Sequence, residues 1–546
     1  MNEPLGLTFY YGFEKNEDSW RLEIQRLTSS NIRILLIQNF YWRRFLREES
    51  YRERTRRFLD VCAENDAKCL LTFTASYTDY GFVGHRFGVF SKSETEGIIE
   101  AAAEVSRHLK GYKALMGYYI DDEPPWRWDI DPKSWSRWRE DFEGRFKVSF
   151  PESLDEASER QKASYMRWLL QKYIDYIRRF RKAVKNVNPD LKIAICYNPE
   201  AYRSGFIRTA DEVDLILVDL YPGWMGDPIL YDKGVGFYAK INRDLLRRPF
   251  IFVLQAHRII LGHEPKPEEI LKWSEEALHE GASGLGWLAS DFYGSEGNFR
   301  PTYHNSSERW SAVEKACREM KTYKPLNGDL AIIVPLESAY HGALDFNYLC
   351  YAYNFMRSLK VPFTFLGDYK VDGDILLDYK VVVLAGQRYS TRNFRDTLED
   401  YVRDGGVLVA CMHDLSFDDS GDPLTEYLSD IFGIEGISEL KHPDIRILII
   451  EDYGGLRGMR EFLPGSDMAH LLTVKDDVRV LGRERISNKP VIVSSKMGGG
   501  ETYYIGTNMF RASLHASIGW KWHVFFREII DKTRYTSKFA LEDPSS

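Results

Sequence analysis

The chain has 546 residues, 44% hydrophobic and 28% charged, with a formal net charge of −8. That length holds two or three domains with full cores. The acidic balance excludes the basic footprint of a nucleic-acid or anionic-membrane binder, and no apolar run is long enough for a transmembrane helix. The N-terminus enters strand-like sequence without a basic, apolar leader. The six cysteines, at 62, 69, 196, 317, 350 and 411, show no CxxC pair or zinc spacing. A cytoplasmic protein with reduced thiols is expected, and its abundance of Arg, Glu and Ile fits a thermophilic source.

From residue 5 to about 320, short apolar strands alternate with helical segments. The predicted strands are Leu7–Tyr11, Ile32–Gln38, Lys68–Thr74, Ala114–Ile120, Lys192–Tyr197, Leu215–Leu220, Phe250–Gln255 and Gly284–Ala289. Eight β–α repeats in this length predict a (β/α)8 TIM barrel over residues 1–322 rather than an open sheet, and nothing resembles GxGxxG. Near Tyr323 the pattern restarts, with strands Leu330–Pro335, Pro362–Leu366, Val381–Leu384 and Val407–Cys411. Arg446–Glu451, Pro490–Ser495 and Glu501–Gly506 read as further strands, with a hairpin at Gly498-Gly499-Gly500. Residues 323–546 are thus expected to form a second α/β domain.

The fourth barrel strand carries the strongest functional signal. Gly117-Tyr118-Tyr119-Ile120 runs into Asp121-Asp122-Glu123 and stops at Pro124-Pro125. Strands are depleted in Asp, and adjacent carboxylates raise one another's pKa. A carboxyl kept protonated near neutrality is what a general acid needs. The competing reading is a solvated acidic loop bonded to Arg127. Barrel active sites lie where strands end and βα loops begin. There the chain also places Glu14, Gln38-Asn39, Tyr77, Asn198 with Glu200, Asp219 with Tyr221, Gln255 with His257, and Trp287 with Asp291.

The combination resembles the family 42 β-galactosidases among clan A glycoside hydrolases. It rests on Gly117–Glu123, on Asp404-Gly405-Gly406-Val407-Leu408-Val409, and on Gly500-Glu501-Thr502-Tyr503-Tyr504-Ile505-Gly506. The resemblance implies a catalytic barrel followed by a flavodoxin-like or class I glutamine-amidotransferase-like domain that holds a homo-oligomer, a trimer or dimer. It implies a carbohydrate substrate, no cofactor, and Glu123 as acid/base. Asp122 stands where the family has Asn. On the seventh strand, where the family has its nucleophilic Glu, the chain reads Gln255, and Glu264 lies nine residues beyond. Cys411 ends a strand but lacks the glycine-flanked elbow of an amidotransferase nucleophile, and reads as a core thiol.

Glycoside hydrolysis normally uses two carboxyl groups. Asp219 is the expected partner of Glu123, with Asp291 and Asp121 as alternatives. Pairing Asp121 or Asp122 with Asp219 would resemble retaining α-galactosidase-type barrels. The adjacent Asp-Glu pair also resembles hexosaminidases that use the substrate's acetamido group. A non-catalytic sugar-binding barrel that lost its nucleophile remains open, as does other chemistry on the same barrel. Asp121, Asp122, Asn198, Tyr221, Gln255, His257, Trp287 and Asp291 are expected to bind sugar. Trp126, Trp128, Trp135, Trp138 and Trp224 offer aromatic faces, though Trp135 and Trp138 also fit a helix stripe and Trp287 a barrel-filling layer. Asp121, Asp122 and His257 lack metal-ligand spacing, so no metal is expected.

Overall fold

The computed structural model describes residues 4–73, 77–78, 81–82, 92–124, 131–257, 263–288, 306–321, 323, 327–443, 445–450, 467–514 and 519–533. The chain divides into two compact units, Met1–Ala157 with Ser164–Pro325, and Ser158–Ala163 with Leu326–Ser546.

In the first unit eight parallel strands close into a barrel. They are β1 (Gly6–Tyr10), β2 (Ile32–Ile37), β3 (Lys68–Thr72), β4 (Leu115–Asp122), β5 (Lys192–Tyr197), β6 (Leu215–Asp219), β7 (Phe250–Leu254) and β8 (Gly284–Trp287), with β8 pairing back onto β1. Their Val, Ile, Leu and Phe content suits strands buried on both faces. Every second residue points inward. Leu7, Phe9, Ile34, Leu36, Leu70, Tyr119, Ala194, Cys196, Leu215, Leu217, Ile251 and Val253 form one buried cluster. Burying a large apolar side chain stabilises by about 1.5–3 kcal/mol, so this interior is a packed core and not a pore. The helices outside follow local rules. Glu17–Ser29 begins where Asn16 Oδ1 accepts from Ser19 N at 2.9 Å, and buries Trp20, Ile24 and Leu27 along one stripe.

One irregularity sets the site. Along the β4–β5 ladder Tyr119 pairs with Ala194, but the next partners are Asp121 with Ile195 and Asp122 with Cys196. Ile120 is the extra residue of a bulge, and a one-residue slip reverses which side chains face inward. The strand also runs through Asp122 instead of ending at Ile120 as expected. Close approach of β5 is possible because Gly117 lacks a side chain: a Cβ there would lie 1.9 Å from the Lys192 carbonyl oxygen.

The second unit contains an eight-stranded sheet. In chain order the unit's longer strands are β9 (Leu330–Val334), β10 (Thr364–Gly367), β11 (Val381–Leu384), β12 (Val407–Cys411), β13 (Ile434–Lys441), β14 (Ile447–Ile449), β15 (Met468–Val474), β16 (Arg479–Glu484), β17 (Pro490–Met497) and β18 (Gly500–Ile505). The sheet order is β10-β9-β11-β12-β18-β17-β16-β14. It is parallel from β10 to β18 and antiparallel beyond. β13 and β15 form a separate antiparallel ribbon. Sequence patterning gave the parallel strands and the Gly498-Gly499 hairpin, but not this ribbon. β13 buries little beyond Ile434, so its polar side chains carry no alternation to read.

Candidate active site

β4 delivers three acids to three different environments. Asp121 faces the helix layer outside the barrel, where Tyr173 Oη donates to its Oδ2 at 2.7 Å. The expectation that Asp121 shares a pocket with Glu123 is corrected here, because the Ile120 bulge turned it outward. Its negative charge helps raise the Tyr173 hydroxyl well above its ordinary value, after burial as the larger cause. Asp122 faces the interior, buried, and accepts from Tyr119 Oη. Glu123 follows with φ of +55°, its amide donating to the Cys196 carbonyl at 2.9 Å. A left-handed glutamate directly before a proline is disfavoured backbone, and such strain concentrates at functional sites.

Asp219 ends β6 with the inward parity of Leu215 and Leu217. It is 3% exposed, and its Oδ1 has no hydrogen-bond partner. Glu123, Tyr221 and the Cys196 thiol lie within hydrogen-bonding reach of its carboxyl. Burial pushes the Asp219 pKa up and the Asp122 charge adds to this, while hydrogen bonds from Glu123 and Tyr221 oppose it. The Tyr221 hydroxyl is raised by its own burial and then by Asp219. Its ring meets His257 edge to face at 5.6 Å. The barrel therefore gathers Asp122, Glu123, Asp219 and Tyr221 around Cys196, whose buried thiol feels all three carboxylates.

Other expected sugar contacts have structural partners instead. Gln255 is fully buried: Oε1 accepts from Gly223 N at 3.1 Å, and Nε2 donates to the carbonyls of His257 and His263 at 3.2 and 3.4 Å. It ties the β6 loop to the β7 loop, and a Cβ on Gly223 would come within 3.0 Å of its Oε1. Trp287 neither faces sugar nor fills the barrel, since it pairs with outward-facing Thr8 and donates Nε1–H to Cys317 Sγ at 3.1 Å in the helix layer. Asn198 Oδ1 accepts from Glu200 N at 3.0 Å at the start of the short helix Glu200–Arg203. Glu264 is ion-paired to Arg309 and half exposed, and Glu14 stands 4.0 Å from both Arg44 and Arg54. Trp135 is core, edge-on to Trp168, and Trp138 lies under the Lys172 ammonium. Trp126, Trp128 and Asp291 lie outside the described residues, as do the side chains of Tyr77 and Trp224.

Thr72 escaped the sequence reading as a mouth residue. Gln38 directly follows β2 and Thr72 ends β3, both with inward parity, and the Gln38 Oε1 and Thr72 Oγ1 atoms are buried without a hydrogen-bond partner. Unsatisfied buried polar atoms cost about 1–3 kcal/mol each, a cost that a polar ligand or water relieves. The signal available was parity: each stands two residues after an inward leucine, Leu36 and Leu70.

No family model and no curated protein sequence matches the chain. Solved structures do. The β-galactosidase from Rahnella sp. R3 superposes with a TM-score of 0.81 at 14% identity, covering 100% of this chain and 91% of that one. The catalytic mutant of Gan42B, a GH42 β-galactosidase from G. stearothermophilus, gives a TM-score of 0.76 at 15% identity, covering 98% of this chain and 89% of that one. The chain has the fold of the family 42 β-galactosidases. The same fold extends to the exo-β-1,4-mannosidase Op5Man5 from Opitutaceae bacterium strain TAV5, with a TM-score of 0.66, 15% identity and 96% of each chain covered. Within this β-galactosidase fold, the position that the sequence resemblance reserves for a nucleophile on β7 holds the loop-tying Gln255.

Proposed function

We propose that the chain is an exo-acting glycoside hydrolase that cleaves small oligosaccharides or glycosides, β-galactosides being the first to test. Its acid/base is Glu123 and its second carboxylate Asp219. The observation that carries this reading is the meeting of Glu123 with the buried Asp219, whose pKa burial pushes up, at the barrel mouth. Two carboxyl groups in contact repel each other when both are ionised, which favours one of them keeping its proton. One acid and one carboxylate are what the first step of a retaining glycosidase requires. Contact is closer than the roughly 5–5.5 Å of retaining enzymes. A sugar entering between them would separate the two groups, leaving Glu123 to protonate the leaving oxygen and Asp219 to meet the anomeric carbon. Tyr221 orients Asp219, and Gln38 and Thr72 offer acceptors to sugar hydroxyls. The fold itself, shared with β-galactosidases and a mannosidase, supports a glycosidase without fixing the sugar.

One observation favours the reverse assignment. Burial and the Asp122 charge raise the pKa of Asp219, which favours it as the acid and Glu123 as the nucleophile. Azide rescue separates the two. An activated aryl glycoside supplied with azide to Asp219→Gly should give a glycosyl azide of opposite anomeric configuration, as attack at a vacated nucleophile position requires. The same configuration from Asp219→Gly, with the opposite one from Glu123→Gly, establishes the reverse. Undiminished hydrolysis by both variants would refute the carboxyl pair altogether.

The second unit, by its likeness to the accessory domain of the family, is proposed to hold a trimer. Its strand-end thiol Cys411 has no part in catalysis.

A further inference from the structure

A second chemical grouping lies in the other unit. His413, Glu439 and His470 present ligand atoms that all lie within 4.8 Å of one another. They come from three places in the chain: the turn after β12, the middle of β13 and the middle of β15. Glu439 and His470 are directly opposite in the β13–β15 ladder, so their side chains share one face of the ribbon. His470 is 3% exposed, its Nδ1 hydrogen-bonds Tyr504 Oη at 2.8 Å, and its Nε2 is buried without a hydrogen-bond partner. That nitrogen stands 3.9 Å from Glu439 Oε1. The His413 ring closes the group edge to face, 4.6 Å from the His470 ring. It is brought there by a tight turn in which His413 and Leu415 take φ of +73° and +54°. Left-handed backbone at a leucine is costly, so this turn is held by its surroundings.

We propose that His413, Glu439 and His470 bind a borderline first-row divalent cation of the zinc type. Two imidazoles and one carboxylate suit such an ion, whereas calcium and magnesium take oxygen ligands. Bonds of about 2.0–2.2 Å place tetrahedral ligands roughly 3.3–3.6 Å apart. The His470–Glu439 gap is slightly wider, and the Glu439 side chain, 59% exposed, is free to close it. Tyr504 accepting Nδ1–H would fix the tautomer that leaves Nε2 its lone pair, the usual outer partner of a metal-bound histidine. Solvent on the Glu439 side supplies a fourth ligand. The ion would tie the weakly buried strand β13, through its partner β15, to the end of the central strand β12. Nothing in the sequence spacing announced this set, because its members are 26 and 31 residues apart and meet only through sheet register.

The test is zinc binding by the chelator-treated full-length protein, read by calorimetry and thermal unfolding. One Zn²⁺ per chain is expected, with a rise in Tm, and the Co²⁺-loaded protein should show the visible absorption of a tetrahedral site. Glu439→Gln and His413→Ala, at exposed and half-buried positions, should each weaken binding by at least about tenfold. His470→Asn should abolish the cobalt spectrum. A wild-type protein that takes up no zinc overturns the proposal, and so do Glu439→Gln and His413→Ala variants that bind zinc as wild type does.

Discussion

Glu123 at the end of β4 meets Asp219 at the end of β6, across the single strand β5 whose Cys196 lies beneath them both. The contact exists because Ile120 is bulged out of the β4–β5 ladder, turning Asp122 inward and carrying Glu123 over the Cys196 carbonyl. Most of the expected chemistry follows from that one displaced residue.

Replacing Glu123 with Gln should leave the fold intact and lower turnover of unactivated glycosides by about 10²–10⁴-fold, the usual range for a lost general acid. Substrates with good leaving groups should suffer much less in the glycosylation step. Steady-state kinetics on a matched pair of aryl glycosides measures this, and equal losses on both would remove the acid role.

Asp219→Asn should be inactive yet more stable than the wild type, and increasingly so as pH rises. A buried carboxyl with a raised pKa binds its proton more tightly when folded. Below the ordinary carboxylate pKa both states are protonated and no stability is lost. Above it the unfolded chain ionises first, and folding weakens until the pH passes the folded value. Asparagine removes that loss. Thermal melts of both proteins from acid to mildly alkaline pH should diverge, and parallel curves would contradict a raised pKa for the buried Asp219.

Asp121 should behave as a structural acid. Tyr173→Phe removes its helix-layer partner and should cost about 1–3 kcal/mol, the range for breaking a hydrogen bond to a charged group, with KM unchanged. Denaturant unfolding and kinetics read the two quantities separately. A large rise in KM without a stability loss would return Asp121 to the substrate pocket.

Cys411 is fully buried, its thiol pushed up by burial and then by Asp414. A protonated, inaccessible thiol is a poor nucleophile. The native protein should therefore resist alkylation at this position, and Cys411→Ala should alter stability alone. Light scattering should report a trimer for both proteins, and a monomer at micromolar concentration would end the oligomer reading.

The eight-fold strand–helix alternation was legible in the sequence, because parallel strands buried on both faces must be short apolar runs, and such runs stand out between amphipathic helices. So was the importance of Asp121-Asp122-Glu123, since three acids closing an apolar strand conflict with strand propensity. Parity was not legible. A bulge at Ile120 has no residue signature of its own, yet it decides that Asp122 faces the core and Asp121 the helices. Strand order favoured Asp219 over Asp291 and Asp121 as the partner of Glu123, but only the register of β4, β5 and β6 brings it against Glu123 and turns Asp121 away. Gln255 and Trp287 sat at strand ends like site residues, but their partners Gly223 and Cys317 come from other loops and helices. The ribbon joining Glu439 to His470 was hidden for the same reason. Local propensity and periodicity depend on neighbours along the chain, whereas the direction and company of a side chain depend on strands that meet it only in three dimensions.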